Sequence, residues 1–197
     1  MVVVAALPAA GAGCGSLPAD RLPPAAGPAR APALRVPPAG RVVPGRGALG
    51  PALVAAVGPH DRVVLRPRLR RLERGVESAP AGVGPTNVAC APVGFCYVAD
   101  TRGDALLVYA LHPRLALVRR VYLRGAPYAL AIDQRRQRLY VTLTQRNEVV
   151  ELPAHGRPHP LRSWPTVRGP EGVGVDPRTG RVAVTGAADG VRQLLSP

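Results

Sequence analysis

Cys90 and Cys96 are the residues whose spacing points most directly to chemistry. Five residues lie between them, and neither a second cysteine pair nor a neighbouring histidine completes a zinc-binding pattern. Their thiols could form a disulfide, which is typical of proteins outside the cytoplasm. The alternative is that both stay reduced and act as small core residues.

Cys14 ends an uncharged apolar stretch of small residues that resembles the end of a bacterial lipoprotein signal. The sequence therefore predicts a lipoprotein signal segment in residues 1–15, with Cys14 as the lipidation site and a lipid anchor on a membrane. No basic residue follows Met1, and Gly11 stands where such signals usually carry leucine. The alternative is an unstructured N-terminus on a cytoplasmic protein. If the other two cysteines are bonded, Cys14 is left unpaired, which favours lipidation.

No catalytic site is predicted from residue spacing. The four histidines fall in predicted loops, without a serine, cysteine or carboxylate at a catalytic spacing; they are His60, His112, His155 and His159. The sequence also contains no phosphate-binding glycine loop and no metalloprotease motif. Trp164, the single tryptophan, is predicted to pack in the core or at the rim of the fold rather than against a ligand.

Arginine dominates the charge of the chain. The formal net charge is +14, and all 26 basic residues are arginine. A basic surface gains affinity for nucleic acid through counterion release. Alanine, glycine, proline and valine are equally abundant, however, so a G+C-rich genome accounts for the arginines at least as well. The densest run, residues 66–74, alternates with leucines as an exposed strand edge does, and no nucleic-acid partner is favoured.

The elements that must position these residues are predicted to be strands. With 24 prolines and 22 glycines, long helices are improbable, and short runs of valine, leucine and tyrosine broken by turn residues predict an all-β fold. Residues 16–50 are rich in proline and poor in large apolar side chains, so they are predicted to be a disordered linker. The Pro/Ala/Gly-rich N-terminus then precedes a folded region in residues 51–197.

A repeat runs through the folded region. Pro85, Pro127 and Pro170 are each followed by a strand of apolar and small residues, and they lie 42 and 43 positions apart. This spacing suits one four-stranded antiparallel blade of a β-propeller.

Four blades are predicted from the repeat. Two complete blades occupy residues 84–124 and 125–168, and a final one, 169–197, ends after its third strand. A degraded copy precedes them in residues 51–80, with its second, third and fourth strands at 53–57, 62–66 and 70–78.

The alignment of the repeats also places the cysteines. Cys90 takes the position of Ile132 in the next repeat, and Cys96 takes that of Leu139. Both side chains are therefore predicted on one blade face, on adjacent antiparallel strands, where a cross-strand disulfide is geometrically reasonable.

Short polar side chains recur at two turn positions of the repeat. Asp104, Asn147 and Asp189 follow the second strand, where they are predicted to close a hairpin in a left-handed conformation. Asp133 and Asp176 end the first strand, and their recurrence predicts that they stabilise a turn in each blade.

The repeats resemble the YVTN family of β-propeller proteins, which are relatives of the NHL propellers. The resemblance rests on the strand from Pro127 to Asp133, on the Tyr-Val-Thr sequence ending at Thr142, and on Asn147 with the valines that follow it. It covers about residues 50–197 and implies a propeller that is incomplete or truncated, because about four blades are present. Open blades leave strand edges uncovered, so the chain is predicted to be part of a longer protein or to close as an oligomer.

The alternative function is that of the metal-dependent lactonases, which are also built on propellers. The resemblance implies a calcium or magnesium ion held at the central channel by oxygen ligands from several blades. The residues after the blade prolines are predicted near that channel: Thr86, Asn87, Tyr128 and Glu171. Glu171 and Asn87 are the two candidate metal ligands, although a glutamate at a strand entrance is more often a solvated turn residue.

The favoured function is a non-catalytic binding or scaffold protein of the bacterial cell envelope, without a cofactor. An unidentified protein or small-molecule ligand would bind at the propeller channel or on a face. The protein is expected to be lipid-anchored or secreted, with a cytoplasmic location as the alternative. The alternative functions are a metal-dependent, lactonase-like hydrolase and, less favoured, a basic nucleic-acid-associated protein.

Overall fold

The computed structural model describes residues 27–44, 53–56, 61–92, 94–187 and 190–197. The described residues form sixteen strands and no helix, which confirms the predicted all-β class. Accordingly, none of the described residues lies in a helix of the length and apolarity that a bilayer crossing requires. Strands dominate because proline, glycine and β-branched residues alternate along the chain and interrupt helical periodicity.

The strands form four antiparallel sheets of four strands each. The first sheet contains β2 (Val54–Ala56), β3 (Arg62–Arg66), β4 (Arg71–Arg74) and β5 (Glu77–Pro80). The second contains β6 (Pro85–Ala91), β7 (Phe95–Asp100), β8 (Ala105–Ala110) and β9 (Ala116–Tyr122). The third contains β10 (Pro127–Asp133), β11 (Arg138–Leu143), β12 (Glu148–Pro153) and β13 (Arg162–Pro165). The fourth contains β14 (Pro170–Val175), β15 (Val182–Gly186), β16 (Val191–Leu195) and β1 (Arg41–Pro44).

The sheets pack face to face as successive propeller blades. Their first strands are neighbours in space, because β2 contacts β6, β6 contacts β10, and β10 contacts β14. Among the described strands, no contact of similar extent joins β14 to β2. Three apolar cores lie between the four blades; Leu107, Leu139 and Val182 are fully buried members of the first, second and third core. This arrangement confirms a propeller of four-stranded antiparallel blades.

The pairing register of the strands agrees with the repeat alignment. Cys90 lies opposite Cys96, Ile132 opposite Leu139, and Val175 opposite Val182. A register shift follows each blade proline, where the first strand of the blade bends at its start. Repetition of the irregularity in three blades shows that it belongs to the repeat.

One strand lies where the sequence predicted a disordered linker. β1 falls inside residues 16–50 and pairs with β16, so that the fourth blade has four strands rather than the predicted three. The physical reason is the unpaired outer edge of β16, whose backbone groups need partners that any extended segment can supply. Composition alone predicted no order here because the segment has little apolar surface of its own.

The first blade is also complete rather than degraded. The segment predicted as its fourth strand, residues 70–78, contains the whole of β4 and the start of β5, and Gly75 between them turns the chain with a φ of 56°. β2 is therefore the first strand of this blade, not the second. The predicted signal segment with Cys14, part of the linker, His60 and Asp189 lie outside the described residues.

Candidate functional site

The residues predicted near the channel lie at the end of the propeller where the first strands begin, here called the connection face. Thr86, Tyr128 and Glu171 each follow a blade proline and occupy equivalent repeat positions in three successive blades. Thr86 Oγ1 donates to the backbone oxygen of Tyr128 at 3.1 Å and lies 2.8 Å from Thr101 Oγ1. Thr86 therefore ties the second blade to the third.

The two candidate metal ligands lie on first strands two blades apart, Asn87 on β6 and Glu171 on β14. The Asn87 side chain is buried, and its Oδ1 has no hydrogen-bond partner. Glu171 is half-buried, and desolvation by burial raises the pKa of its carboxyl. Calcium requires about six to eight oxygen ligands, and no three His, Cys, Asp or Glu residues of the described ranges meet at one point. These side chains alone do not make up a calcium or magnesium site.

Carboxylate and amide oxygens of the connection face hold the backbone between blades. Asp100, which is fully buried, accepts hydrogen bonds from the backbone N–H groups of Val83 and Gly84 at 3.0 and 2.7 Å. Asp104 Oδ1 accepts the N–H groups of Gly125 and Ala126 at 3.1 and 2.9 Å. Asp100 thus fastens the segment that leads into its own blade, and Asp104 the segment that leads into the next one.

Asn147 repeats the role of Asp104 one blade later. Its Oδ1 accepts the N–H of Gly169 at 3.0 Å, and its φ is 52°, close to the 47° of Asp104. The predicted left-handed conformation is therefore confirmed at both residues. Sequence analysis missed that the side chains bind the connection between blades and do more than close their own hairpin.

The two cysteines form a disulfide, as predicted. Cys90 on β6 and Cys96 on β7 are paired across the strands and bonded. Both belong to the core between the first and second blades. The bond reinforces the strand pair that faces the first blade.

Asp133 and Asp176 stabilise the turns that follow the first strands, as their recurrence indicated. Asp133 is fully buried, and its Oδ1 accepts the N–H groups of Arg135 and Arg136 at 3.0 Å each. Asp176 is exposed and accepts a 2.6 Å hydrogen bond from Thr179 Oγ1, which lowers the pKa of its carboxyl. These turns mark the opposite face, the end of the propeller away from the connection face.

A cleft on the opposite face was not predicted from the sequence. It lies between the third and fourth blades and has a volume of about 310 Å³. Four arginines, one buried glutamate and one buried tyrosine contribute to its walls: Arg136, Arg138, Arg162, Arg181, Glu151 and Tyr140. A signal for this cluster of side chains lay in the strand register, because Tyr140, Glu151 and Arg162 lie side by side on β11, β12 and β13.

Glu151 organises two of these arginines. It is buried, and its two oxygens pair with Nε of Arg138 at 2.9 Å and Nε of Arg162 at 2.8 Å. The Arg162 guanidinium also lies 5.1 Å from the centre of the Trp164 ring. Trp164 is partly buried against the third core, which agrees with the prediction that it packs in the core or at the rim of the fold.

The remaining candidate residues do not come together. His112, His155 and His159 are exposed in loops. His155 and His159 share the loop between β12 and β13, whereas His112 follows β8. In the basic run, Arg66 pairs with Glu73 at 3.1 Å and Arg74 with Asp61 at 2.6 Å. Two of the five arginines of that run therefore pair with acidic residues of the first blade.

Comparison with known proteins supports the fold. No family model and no curated protein matches the chain. A candidate 6-phosphogluconolactonase from Bacteroides fragilis matches with a TM-score of 0.64 and 12% identity, over 74% of this chain and 50% of that one. The β-propeller domain of Cps50 (Swd1) from Myceliophteria thermophila matches with a TM-score of 0.61 and 13% identity, over 75% of this chain and 53% of that one. Virginiamycin B lyase from Staphylococcus aureus matches with a TM-score of 0.52 and 11% identity, over 73% of this chain and 54% of that one.

These likenesses define the chain as a β-propeller protein. At such low identities they concern the fold alone, since propellers serve both catalytic and non-catalytic proteins. The chain spans about half the length of the solved structures that it matches.

Proposed function

We propose that the chain is a propeller-repeat binding or scaffold module of the bacterial cell envelope and carries no catalytic site. The observation that supports this proposal is that polar side chains of the connection face are engaged in hydrogen bonds to the backbone. Asp100, Asp104 and Asn147 all accept backbone N–H groups that join blades. Side chains engaged in this way are not free to activate water or a substrate. The disulfide supports an oxidising compartment, and hence the envelope.

Crosslinking of the full chain in its native cells tests the binding function. We expect one envelope protein or small ligand to be crosslinked reproducibly, through residues of a propeller face or the channel. Crosslinks scattered over the whole surface, with no recurrent partner, would contradict a binding module.

A metal-dependent, lactonase-like hydrolase is the second candidate, because Asn87 Oδ1 is buried without a partner on the same face as Glu171. Its test is the hydrolysis of sugar lactones with added Ca²⁺ or Mg²⁺, by the wild type and by Glu171→Gln. Turnover that Glu171→Gln lowers by about 100-fold or more, while Glu148→Gln leaves it unchanged, would establish the hydrolase. Turnover no faster than in buffer is the result that the binding module predicts.

The envelope location rests on Cys14 and is tested by the intact mass of the native protein. We expect a chain that begins at a lipidated Cys14. A chain that retains an unprocessed Met1 would contradict the lipid anchor.

A further inference from the structure

We propose that the cleft between the third and fourth blades binds a small anion through its phosphate or carboxylate group. The cleft lies on the opposite face, apart from the channel residues. The proposal adds a ligand class and a place to the binding function, and it can fail while a partner still binds elsewhere.

The charge of the cleft favours an anion. Four arginines line it, and Glu151 is the single acidic side chain among the described residues of its wall. Asp133 adds a second carboxylate, since it pairs with Arg136 at 2.9 Å. These six side chains carry two more positive than negative charges, which favours an anion. The volume of about 310 Å³ is at the lower end of the range for small-molecule sites.

The pairing with Glu151 holds the arginines in place for a ligand. Arg138 and Arg162 each use Nε on the glutamate, which leaves the outer guanidinium nitrogens of Arg162 without a protein acceptor. Arg181 has an exposed guanidinium that pairs with no carboxylate of the described residues. Guanidinium groups bind phosphate and carboxylate through paired, charge-assisted hydrogen bonds.

The Tyr140 hydroxyl adds a hydrogen-bond donor to the cleft. The side chain is 2% exposed and lines the cleft. Burial, reinforced by Glu151 and Asp133, raises the pKa of Tyr140 to about 12 against the lowering effect of Arg162 and Arg138. The hydroxyl therefore stays protonated and can donate to an anion.

The neighbouring blade shows that arginine abundance alone does not create this cleft. Tyr97 is the repeat equivalent of Tyr140 and is equally buried. Phe95 stands in the position of Arg138, and Val108 in that of Glu151. Arg119 matches Arg162 but has no buried carboxylate opposite it. A biased base composition raises the number of arginines everywhere, whereas the cluster occurs where a glutamate gathers them.

There is room beside the cleft for a ligand that is larger than a bare anion. A second cavity of about 390 Å³ shares Arg181 and Ser196 with the cleft. Trp164 and Leu195 form part of its wall, so an apolar group could be accommodated beside the anionic one.

The single tryptophan provides the readout for the test. Trp164 lies against Arg162, so its fluorescence should change when an anion engages that guanidinium. The full chain is titrated with inorganic phosphate and, separately, with malonate, at constant ionic strength because salt screens exposed charges. We expect a saturable change with at least one of the two, and the tighter of them identifies phosphate or carboxylate as the preferred group.

Matched variants locate the site. Arg181→Gln and Arg162→Gln should each weaken the affinity by about tenfold or more, and Tyr140→Phe by a smaller factor. Arg119→Gln and Tyr97→Phe, the same changes at the equivalent positions of the second blade, should leave the affinity unchanged. A response that does not saturate with either probe, or that the arginine variants leave intact, would overturn the proposal. Arg181→Gln keeps the test valid if other variants misfold, because that side chain is exposed.

Discussion

Buried oxygens that accept backbone N–H groups connect neighbouring blades at the scale of single residues. Asp100 is the strongest example, because its carboxylate has no solvent exposure and receives hydrogen bonds from Val83, Gly84 and Gly103. Arg120 lies 3.4 Å from the second oxygen and supplies part of the countercharge. Removing one partner from such a buried network leaves several unpaired donors.

Asp100→Asn should therefore destabilise the protein by about 2 kcal/mol, because the amide loses the negative charge that strengthens the three N–H bonds to Oδ1 and turns a donating NH2 group towards Arg120. The measurement is urea unfolding followed by Trp164 fluorescence and circular dichroism. Asp176→Asn is the control, since that carboxylate is exposed. An equal loss in the two variants would show that burial of Asp100 does not matter.

The disulfide should contribute by restricting the unfolded chain. Replacing both cysteines, Cys90→Ala with Cys96→Ala, is expected to cost about 2 kcal/mol for a loop this short. The measurement is urea unfolding of the oxidised wild type and of the double variant, with and without reductant. Reductant should destabilise the wild type only, and a wild type that is insensitive to reduction would contradict the expectation.

At the scale of elements, β1 is held to the fourth blade by one glutamine as well as by strand pairing. Gln193 on β16 is fully buried; its Nε2 donates to the backbone oxygens of Ala39 at 2.5 Å and Pro165 at 2.9 Å. Its Oε1 accepts the N–H of Val167 at 3.0 Å. One side chain thus joins the N-terminal segment, the third blade and the fourth blade.

Gln193→Ala should destabilise the fourth blade by about 2 kcal/mol, since the carbonyl of Ala39 and the N–H of Val167 lose their partner. The Pro165 carbonyl keeps the N–H of Ala39 as a donor. Hydrogen exchange of the β1 and β16 amides measures the effect directly. Faster exchange is expected there and not in β6–β9. Gln145→Ala, at an exposed position, is the control and should change neither the stability nor the exchange of the β1 and β16 amides. Unchanged protection of the β1 amides in Gln193→Ala would show that strand pairing alone holds the segment.

At the scale of the whole molecule, buried tyrosines recur in the cores between blades. Burial raises the pKa of Tyr97 and of Tyr140 to about 12 from a usual 10.0. Desolvation raises the pKa of Tyr109 and Tyr128 as well. Because the folded pKa exceeds the unfolded one, the stabilisation is complete below about pH 10 and is lost as the pH rises through the folded value.

Alkaline unfolding should consequently begin between about pH 10 and 12, with tyrosinate absorbance appearing together with the loss of strand signal. Tyr140→Phe and Tyr97→Phe are each expected to make stability less dependent on pH in that range. Tyr122→Phe is the control, because that ring is 76% exposed. Ionisation of all tyrosines near pH 10 in the folded state would contradict their burial.

The sequence by itself determined the repeat, the strands of the second and third blades, and the register that places Cys90 opposite Cys96. These follow from patterns of local period: alternating apolar residues define strands, turn residues delimit them, and repeats align equivalent positions. Cys90 and Cys96 could be paired because each has a counterpart in the next repeat, and the Asp and Asn turn positions were evident for the same reason.

Only the tertiary structure decided what happens between blades. The pairing of β1 with β16 joins residues at opposite ends of the chain, and no local pattern encodes it. The connections bound by Asp104 and Asn147 and the cleft around Glu151 likewise depend on side chains brought together from different strands and blades. Local composition describes each segment separately, whereas these contacts arise because unpaired strand edges and buried polar groups must find partners wherever the packed blades provide them.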